Sequence, residues 1–227
     1  MPPSPNVTWQ QSILSRADRW RALGARGATV WLTGLPASGK STLGAALEER
    51  VVLSGRFAYL LDGDNLRHGI CGDLGFSEGD RTRNILRVGQ LACLFADAGA
   101  VAVVALVSPL AAVRDEVRAQ HMAARLRFIE VFVDTPPAEC AARDPKNLYA
   151  RARAGELTGF TGVDGIYEPP AQPELTVRPG TSVPSAVEAV LGLLDCAGAT
   201  GAEDQSRPRF IPGAEAGASH QRNGVKR

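Results

Sequence analysis

Gly34-Leu35-Pro36-Ala37-Ser38-Gly39-Lys40-Ser41 is the stretch that decides the fold of this chain. It fits G-x-x-x-x-G-K-[ST], a loop whose backbone N–H groups cradle phosphates while its lysine reaches the outer ones and its hydroxyl ligates Mg²⁺. The flanks supply the order that the motif requires. Ahead lies the apolar run Ala28-Thr29-Val30-Trp31-Leu32, the pattern of a buried strand. Behind it, residues 41–52 place Leu43, Leu47 and Val51 on one helical stripe. Strand, loop and helix together set the positive end of a helix behind the loop, which completes an anion site. A glycine-rich turn before an ordinary helix is the bland alternative, and the flanking pattern argues against it.

Composition bounds the rest. A chain of 227 residues suits one α/β domain with tails. Its 44% hydrophobic and 22% charged residues exclude a wholly disordered chain. A formal net charge of +1 gives no basic field for nucleic acid or a membrane surface, so charge points to a local pocket. Cys71, Cys93, Cys140 and Cys196 stand far apart with no C-x-x-C, which favours reduced, buried thiols in a cytoplasmic protein. Residues 1–11 lack the apolar core of a signal peptide. Residues 98–113, the most apolar segment, are interrupted by Ser108 and Pro109 and fall short of the roughly 20 residues a membrane span needs.

Strands and helices alternate outward from the loop. Residues 1–27 read as an extension with a short helix near 15–24, carrying Trp9, Ile13, Leu14, Trp20 and Leu23 among arginines. Residues 56–61 form a second strand that ends at Asp62-Gly63-Asp64-Asn65, and 78–98 a long helix closed by Gly99. Residues 101–107 are an unbroken apolar run of the kind a central parallel strand needs. A helix over 111–125, a strand over 127–133, short helices over 137–143 and 147–154, a strand over 175–177 and a helix over 184–196 complete the pattern. This predicts a three-layer P-loop nucleoside triphosphate hydrolase/kinase fold: a parallel sheet of about five strands with helices on both faces. The domain would span 28–197, with a lid over about 143–170 rich in basic residues, aromatics and glycines, and 198–227 would be a disordered tail.

In open parallel sheets ligands sit beyond the carboxyl ends of the strands. Four such places carry chemistry. They are the phosphate loop; Asp62 to Arg67, where two carboxylates precede an amide and a guanidinium; the polar edges of 76–87, with Asp80, Arg81, Arg83, Asn84 and Arg87; and Val107-Ser108-Pro109 at the mouth of the central strand. An acidic turn capping a helix, a solvated basic face and a capping serine are the structural alternatives for the last three. His68, His121 and His220 have no ligand-spaced partners, so none is read as a metal ligand, and His68 is read as a satisfied structural histidine.

With these segments in view, the chain resembles the adenylyl-sulfate kinase family over roughly residues 6–196. The markers are Gly34 through Thr42, Leu61-Asp62-Gly63-Asp64-Asn65-Leu66-Arg67-His68-Gly69, Leu74-Gly75-Phe76, Asp80-Arg81 with Asn84-Ile85, Leu94-Phe95-Ala96-Asp97-Ala98-Gly99, and Arg151-Ala152-Arg153-Ala154-Gly155-Glu156 with Gly159-Phe160-Thr161-Gly162. The resemblance implies a kinase that moves the γ-phosphate of ATP, with Mg²⁺, to the 3′-hydroxyl of adenosine 5′-phosphosulfate (APS), giving PAPS. Gly34, Ala37, Ser38, Gly39, Lys40, Ser41 and Thr42 would hold the ATP phosphates, and Arg143 and Thr181 would flank its adenine. The APS site would comprise Asp64, Asn65, Leu66, Arg67, Phe76, Arg81, Asn84, Val107, Ser108, Lys146, Gly159 and Phe160, with Phe76 stacking on adenine. Lys40, Asp62, Asp64 and Ser108 would be catalytic: Asp64 at the acceptor, Asp62 with Ser41 at the metal.

In bacterial members the serine matching Ser108 is assigned as a phosphoserine intermediate, whereas direct in-line transfer is physically sufficient. The resemblance also implies a homodimer and leaves a separate ATP sulfurylase as a candidate partner. Two departures stand out. Leu110-Ala111-Ala112-Val113-Arg114 replaces a usual aromatic residue followed by basic ones, and Asn147 replaces a glycine. Two other readings remain at this stage, a kinase for a sugar or nucleotide acceptor and a non-catalytic nucleotide-binding module. The run from Phe76 to Asn84 and Phe160 weigh against the first, and intact Lys40, Ser41, Asp62, Asp64 and Arg67 against the second.

Overall fold

The computed structural model describes residues 6–8, 10 and 12–195. Its middle layer is a sheet of β1 (Ala28–Thr33), β2 (Ala58–Asp62), β3 (Val101–Ala105), β4 (Arg127–Val133) and β5 (Leu175–Val177), in the order β2-β3-β1-β4-β5. Every pairing is parallel, so all five carboxyl ends share one edge. Around it lie α1 (Arg16–Leu23), α2 (Lys40–Leu53), α3 (Gly63–Arg67), α4 (Glu78–Ala98), α5 (Ala111–Ala123), α6 (Pro137–Arg143), α7 (Leu148–Arg153) and α8 (Val183–Asp195). Among these described residues no helix is long and apolar enough to cross a membrane.

The strands sort their side chains by the two-residue period of a pleated sheet. Val30, Leu32, Val101, Val103 and Ile129 face a core shared with Leu43, Leu47 and Val51 of α2 and Val187 and Val190 of α8. Trp31, Ala102, Val104 and Phe128 face the other core, with Ile85, Val88 and Ala92 of α4 and Val113 and Val117 of α5. Burying each large apolar side chain in these layers contributes about 1.5–3 kcal/mol. Helix α4 starts on Ser77, whose hydroxyl accepts from Asp80 N, and stops at left-handed Gly99. Helix α1 is pinned to the end of α4: Arg16 Nε and Arg19 Nη1 each lie 2.6 Å from an oxygen of Asp97. Trp20 Nε1 donates to the Asp97 carbonyl.

Several boundaries differ from the sequence reading. Strand β2 is shifted to Ala58–Asp62, and β3 stops at Ala105, where its pairing with Leu32 of β1 and Asp62 of β2 ends. The acidic turn is itself a short helix, α3, capped by Asp62. Cys71 and Cys140 are buried as expected, while Cys93 is only half-buried. His68 is exposed rather than a satisfied structural histidine. That description fits His121, fully buried between Thr29 Oγ1 at 2.9 Å and Val117 O at 2.8 Å, its pKa lowered by burial. The expected tail over 198–227, together with Trp9, Cys196 and His220, lies outside the described residues.

Candidate active site

A cleft of about 850 Å³ opens at the carboxyl edge of the sheet. One wall is the phosphate loop, between β1 and α2. Its path needs glycine at Gly34, where a Cβ would lie 2.6 Å from Val133 O, and it places Ala37 at φ 59 and Gly39 at φ 107. Lys40 is only 8% exposed, and its ammonium donates to Gly34 O at 3.0 Å and Leu35 O at 2.7 Å. Burial lowers its pKa to about 8, against the opposing pull of Cys140, Asp62 and Asp64. Thr135 Oγ1 and Arg143 Nη1 both donate to Ser38 O, fixing the back of the loop.

Asp62 stands beside this wall with both oxygens committed. Oδ2 accepts from Ser41 Oγ at 2.6 Å and Oδ1 from Asp64 N at 2.9 Å. A hydroxyl and a carboxylate oxygen this close are hard donors, the type Mg²⁺ selects. Among the described residues no group of three or more His, Cys, Asp or Glu forms a metal cage. One or two protein oxygens beside a phosphate cradle are what Mg²⁺ takes when phosphates and water complete its shell.

The facing wall comes from α3 and the start of α4. Arg67 donates to Leu74 O and Gly75 O, and its guanidinium lies 4.3 Å from the centroid of the Phe76 ring. Phe76 is 70% exposed, a large apolar face turned outward at the cleft. Arg81 donates to Phe76 O at 2.9 Å and to Thr161 Oγ1 at 3.1 Å. Burial, then the charge of Arg67, lower its pKa. Asn84 is 4% exposed, and its Oδ1 is the one buried side-chain oxygen or nitrogen among the described residues that lacks a hydrogen-bond partner. Such an atom costs stability unless a ligand satisfies it, and Asn84 lines the cleft.

The floor is the end of β3. Ser108, buried at φ 39, donates to Thr33 Oγ1 at 2.9 Å and accepts from Trp31 Nε1 at 3.1 Å. The cover runs from Arg143 to Thr161. Lys146 pairs with Asp64 across the cleft. Tyr149 donates to Pro36 O at 3.0 Å and packs edge-on against Phe160 at 5.1 Å. Burial raises the Tyr149 pKa and keeps its phenol a donor. Asn147 takes the left-handed backbone at φ 58 that the usual glycine would supply.

The structure thus brings Ala37, Gly39, Lys40, Ser41, Thr42, Asp62, Asp64, Arg67, Phe76, Arg81, Asn84, Val107, Ser108, Arg143, Lys146 and Phe160 to one cleft. Gly34 and Ser38 are buried within the loop. Gly159 sits exposed beside Phe160, donating to Asp164 Oδ2. Three expected residues are not among those that line this cavity: Asn65 and Thr181 are exposed, and Leu66 packs against the Trp31 core. Tyr149 and Thr161 also line the cleft without being among the expected site residues, although Thr161 falls within the Gly159–Gly162 motif and Tyr149 just ahead of Arg151.

Fold and cleft define a P-loop kinase. The family model for adenylylsulphate kinase matches residues 26–178. The chain is 51% identical over 189 residues to an adenylyl-sulfate kinase of Yersinia pestis, covering 83% of this chain and 88% of that one. It is 52% identical to one of Citrobacter koseri, covering 83% and 93%. The structure of the Mycobacterium tuberculosis APS kinase CysC in complex with AMPPNP and APS superposes with a TM-score of 0.73 at 48% identity, over 75% of this chain and 99% of that one. The chain belongs to the adenylyl-sulfate kinase family.

Proposed function

We propose that this chain transfers the γ-phosphoryl group of ATP to the 3′-hydroxyl of adenosine 5′-phosphosulfate, giving PAPS and ADP. One observation carries the reading: the cleft has two unlike walls. The first is an anion cradle. The second offers an open aromatic ring, two guanidinium groups and a buried amide oxygen with no partner, a set suited to stacking a purine and gripping anions around it. A sugar acceptor would leave Phe76 and Asn84 without a task.

The residues divide the work by their geometry. Ser41 and Asp62 would hold Mg²⁺, which when bound neutralises charge on the β- and γ-phosphate oxygens. Lys40 follows the outer phosphates, while Arg67, Arg81 and Lys146 hold the acceptor's anionic groups. Asp62 has both oxygens engaged, whereas exposed Asp64 is tied only at the cleft face to Lys146, so Asp64 is the group free to take the 3′-hydroxyl proton. As the 3′-oxygen bonds to the γ-phosphorus, the bond from phosphorus to ADP breaks and ADP leaves with the electron pair. The Ser108 hydroxyl is spent on Thr33 and Trp31, so Ser108 serves as wall and transfer is direct.

Incubation with ATP, Mg²⁺ and APS should give ADP and PAPS, and incubation with ATP alone should leave the intact mass of the enzyme unchanged. Asp64→Ala should lower turnover by about 100-fold or more, the usual scale of a general base, while ATP affinity holds. ATP binding with no turnover of APS would overturn the reading. We also infer a homodimer, formed through the exposed Phe57, Tyr59 and Leu94 beside edge strand β2.

A further inference from the structure

Behind the floor of the cleft lies an arginine that neither lines it nor faces solvent. Arg114 is 2% exposed. Its Nε donates to Glu130 Oε1 of β4 at 2.9 Å, its Nη1 to Ser108 O at 2.7 Å, and its Nη2 to Glu168 O at the end of the lid segment, also at 2.7 Å. If Arg114 were only the counter-ion of Glu130, two of its donors would not need to be aimed at carbonyls of two other segments. Glu130 also already has Arg118 at 3.1 Å.

What those carbonyls belong to gives the arrangement its meaning. Ser108 sits at φ 39, a region that residues with a side chain rarely populate, so the turn persists only where its surroundings fix it. Glu168 makes three hydrogen bonds into the same neighbourhood: its N–H to Pro109 O, its Oε2 from Ala111 N and its carbonyl from Arg114. The adjacent Tyr167 shares its hydroxyl with Thr33 Oγ1 at 3.0 Å, and Thr33 in turn donates to Val107 O. The acceptor floor and the root of the lid therefore share one network, and a single guanidinium bonds to both.

We propose that Arg114 is a positioning residue for the acceptor, its planar fork locking the Ser108 turn to Glu168 so that floor and lid are set together. Only arginine reaches three acceptors in three directions from one rigid plane. Displacement of the floor on the order of 1 Å would cost up to about 100-fold in turnover, because in-line transfer depends on placement. The inference rests on the reading that Val107 and Ser108 face the acceptor.

Two variants test it. Arg114→Lys keeps the charge opposite Glu130 but loses the fork, and Arg114→Met with Glu130→Gln removes the buried pair while keeping volume. Each is measured for thermal midpoint, ATP affinity, kcat and KM for APS, and tryptic cleavage at exposed Arg151 and Arg153 of the lid. The expected result for both is a KM for APS raised about tenfold or more with reduced kcat, ATP affinity within about twofold, and faster lid cleavage. Unchanged APS kinetics with only a lower thermal midpoint would overturn the proposal, as would an equal loss of ATP and APS affinity. If the unmodified enzyme does not turn over APS, the proposed function fails instead. Faster lid cleavage in both variants would then still support Arg114 as the tie between floor and lid, and unchanged cleavage would overturn it.

Discussion

Lys40 must be charged to meet a triphosphate, yet the loop buries it. With its pKa lowered to about 8, the ammonium loses its proton just above neutrality unless phosphates restore it. ATP binding should therefore take up a proton at high pH, and affinity should fall up to about tenfold per pH unit above the free value. Calorimetric titration at about pH 9 in two buffers of different ionisation enthalpy reads the uptake directly; zero uptake there would refute the coupling. Stability has the opposite sign. Between the folded value near 8 and the ordinary 10.5, the unfolded chain binds more protons, so stability rises with pH across that window. The penalty is full below the folded value and amounts to about 3 kcal/mol, since one pKa unit is worth about 1.4 kcal/mol. Lys40→Met should accordingly raise the thermal midpoint near neutral pH while abolishing ATP binding. A lower midpoint would mean that the carbonyl contacts of Lys40 outweigh its desolvation.

The lid is the element where small backbone choices decide function. Gly162 sits at φ 99, and a Cβ there would lie 3.0 Å from Tyr149 Oη, the group that ties the lid to Pro36. Gly162→Ala should cost about 1–3 kcal/mol locally, the usual cost of a left-handed non-glycine residue. Because the strain falls on the closed cover, we expect a raised KM for APS and faster tryptic cleavage at Arg151, with the thermal midpoint of the domain nearly unchanged. A variant with normal KM would show that the lid tolerates the shift. The same scale shows what the sequence made legible. Helix α4 and strand β4 were readable to the residue, the first because a glycine cap marks its end and the second because its β-branched and aromatic residues stop at Asp134. Helix α3 was not, since Asp-Gly-Asp-Asn signals a turn and a helix start alike, and only the hydrogen bond from Asp64 N to Asp62 settles it. Leu66 was assigned to the acceptor site for that reason, whereas on a helix its side chain turns inward to the Trp31 core. Arg114 was not legible as a buried group, because nothing local to α5 reveals that Glu130 of β4 waits beneath it.

At the scale of the whole molecule, the sheet has two edges, and they are guarded unequally. Strand β5 is three residues long, too short to template a partner. Strand β2 is longer, and Glu48 Oε1 accepts from Leu60 N at 2.7 Å, which blocks continuation of the sheet by hydrogen bonding. Its side chains are not blocked. Phe57 is 59% exposed and Tyr59 51%, the latter stacked at 5.5 Å on Phe95, whose neighbour in α4, Leu94, is 65% exposed. Large apolar side chains exposed beside a sheet edge are costly in water and are candidates for an interaction surface. Since a two-fold pairing lets one patch cover itself, a second copy is the occupant the patch fits best. The net charge of +1 offers no repulsion against it. Sedimentation velocity at micromolar concentration should show a dimer, and Tyr59→Lys with Leu94→Lys should shift it to a monomer of unchanged far-ultraviolet dichroism. The two lysines would place four like charges across a two-fold interface, so even a tight dimer should dissociate. A monomeric unmodified chain, or a double variant that stays dimeric, would move the interface away from β2.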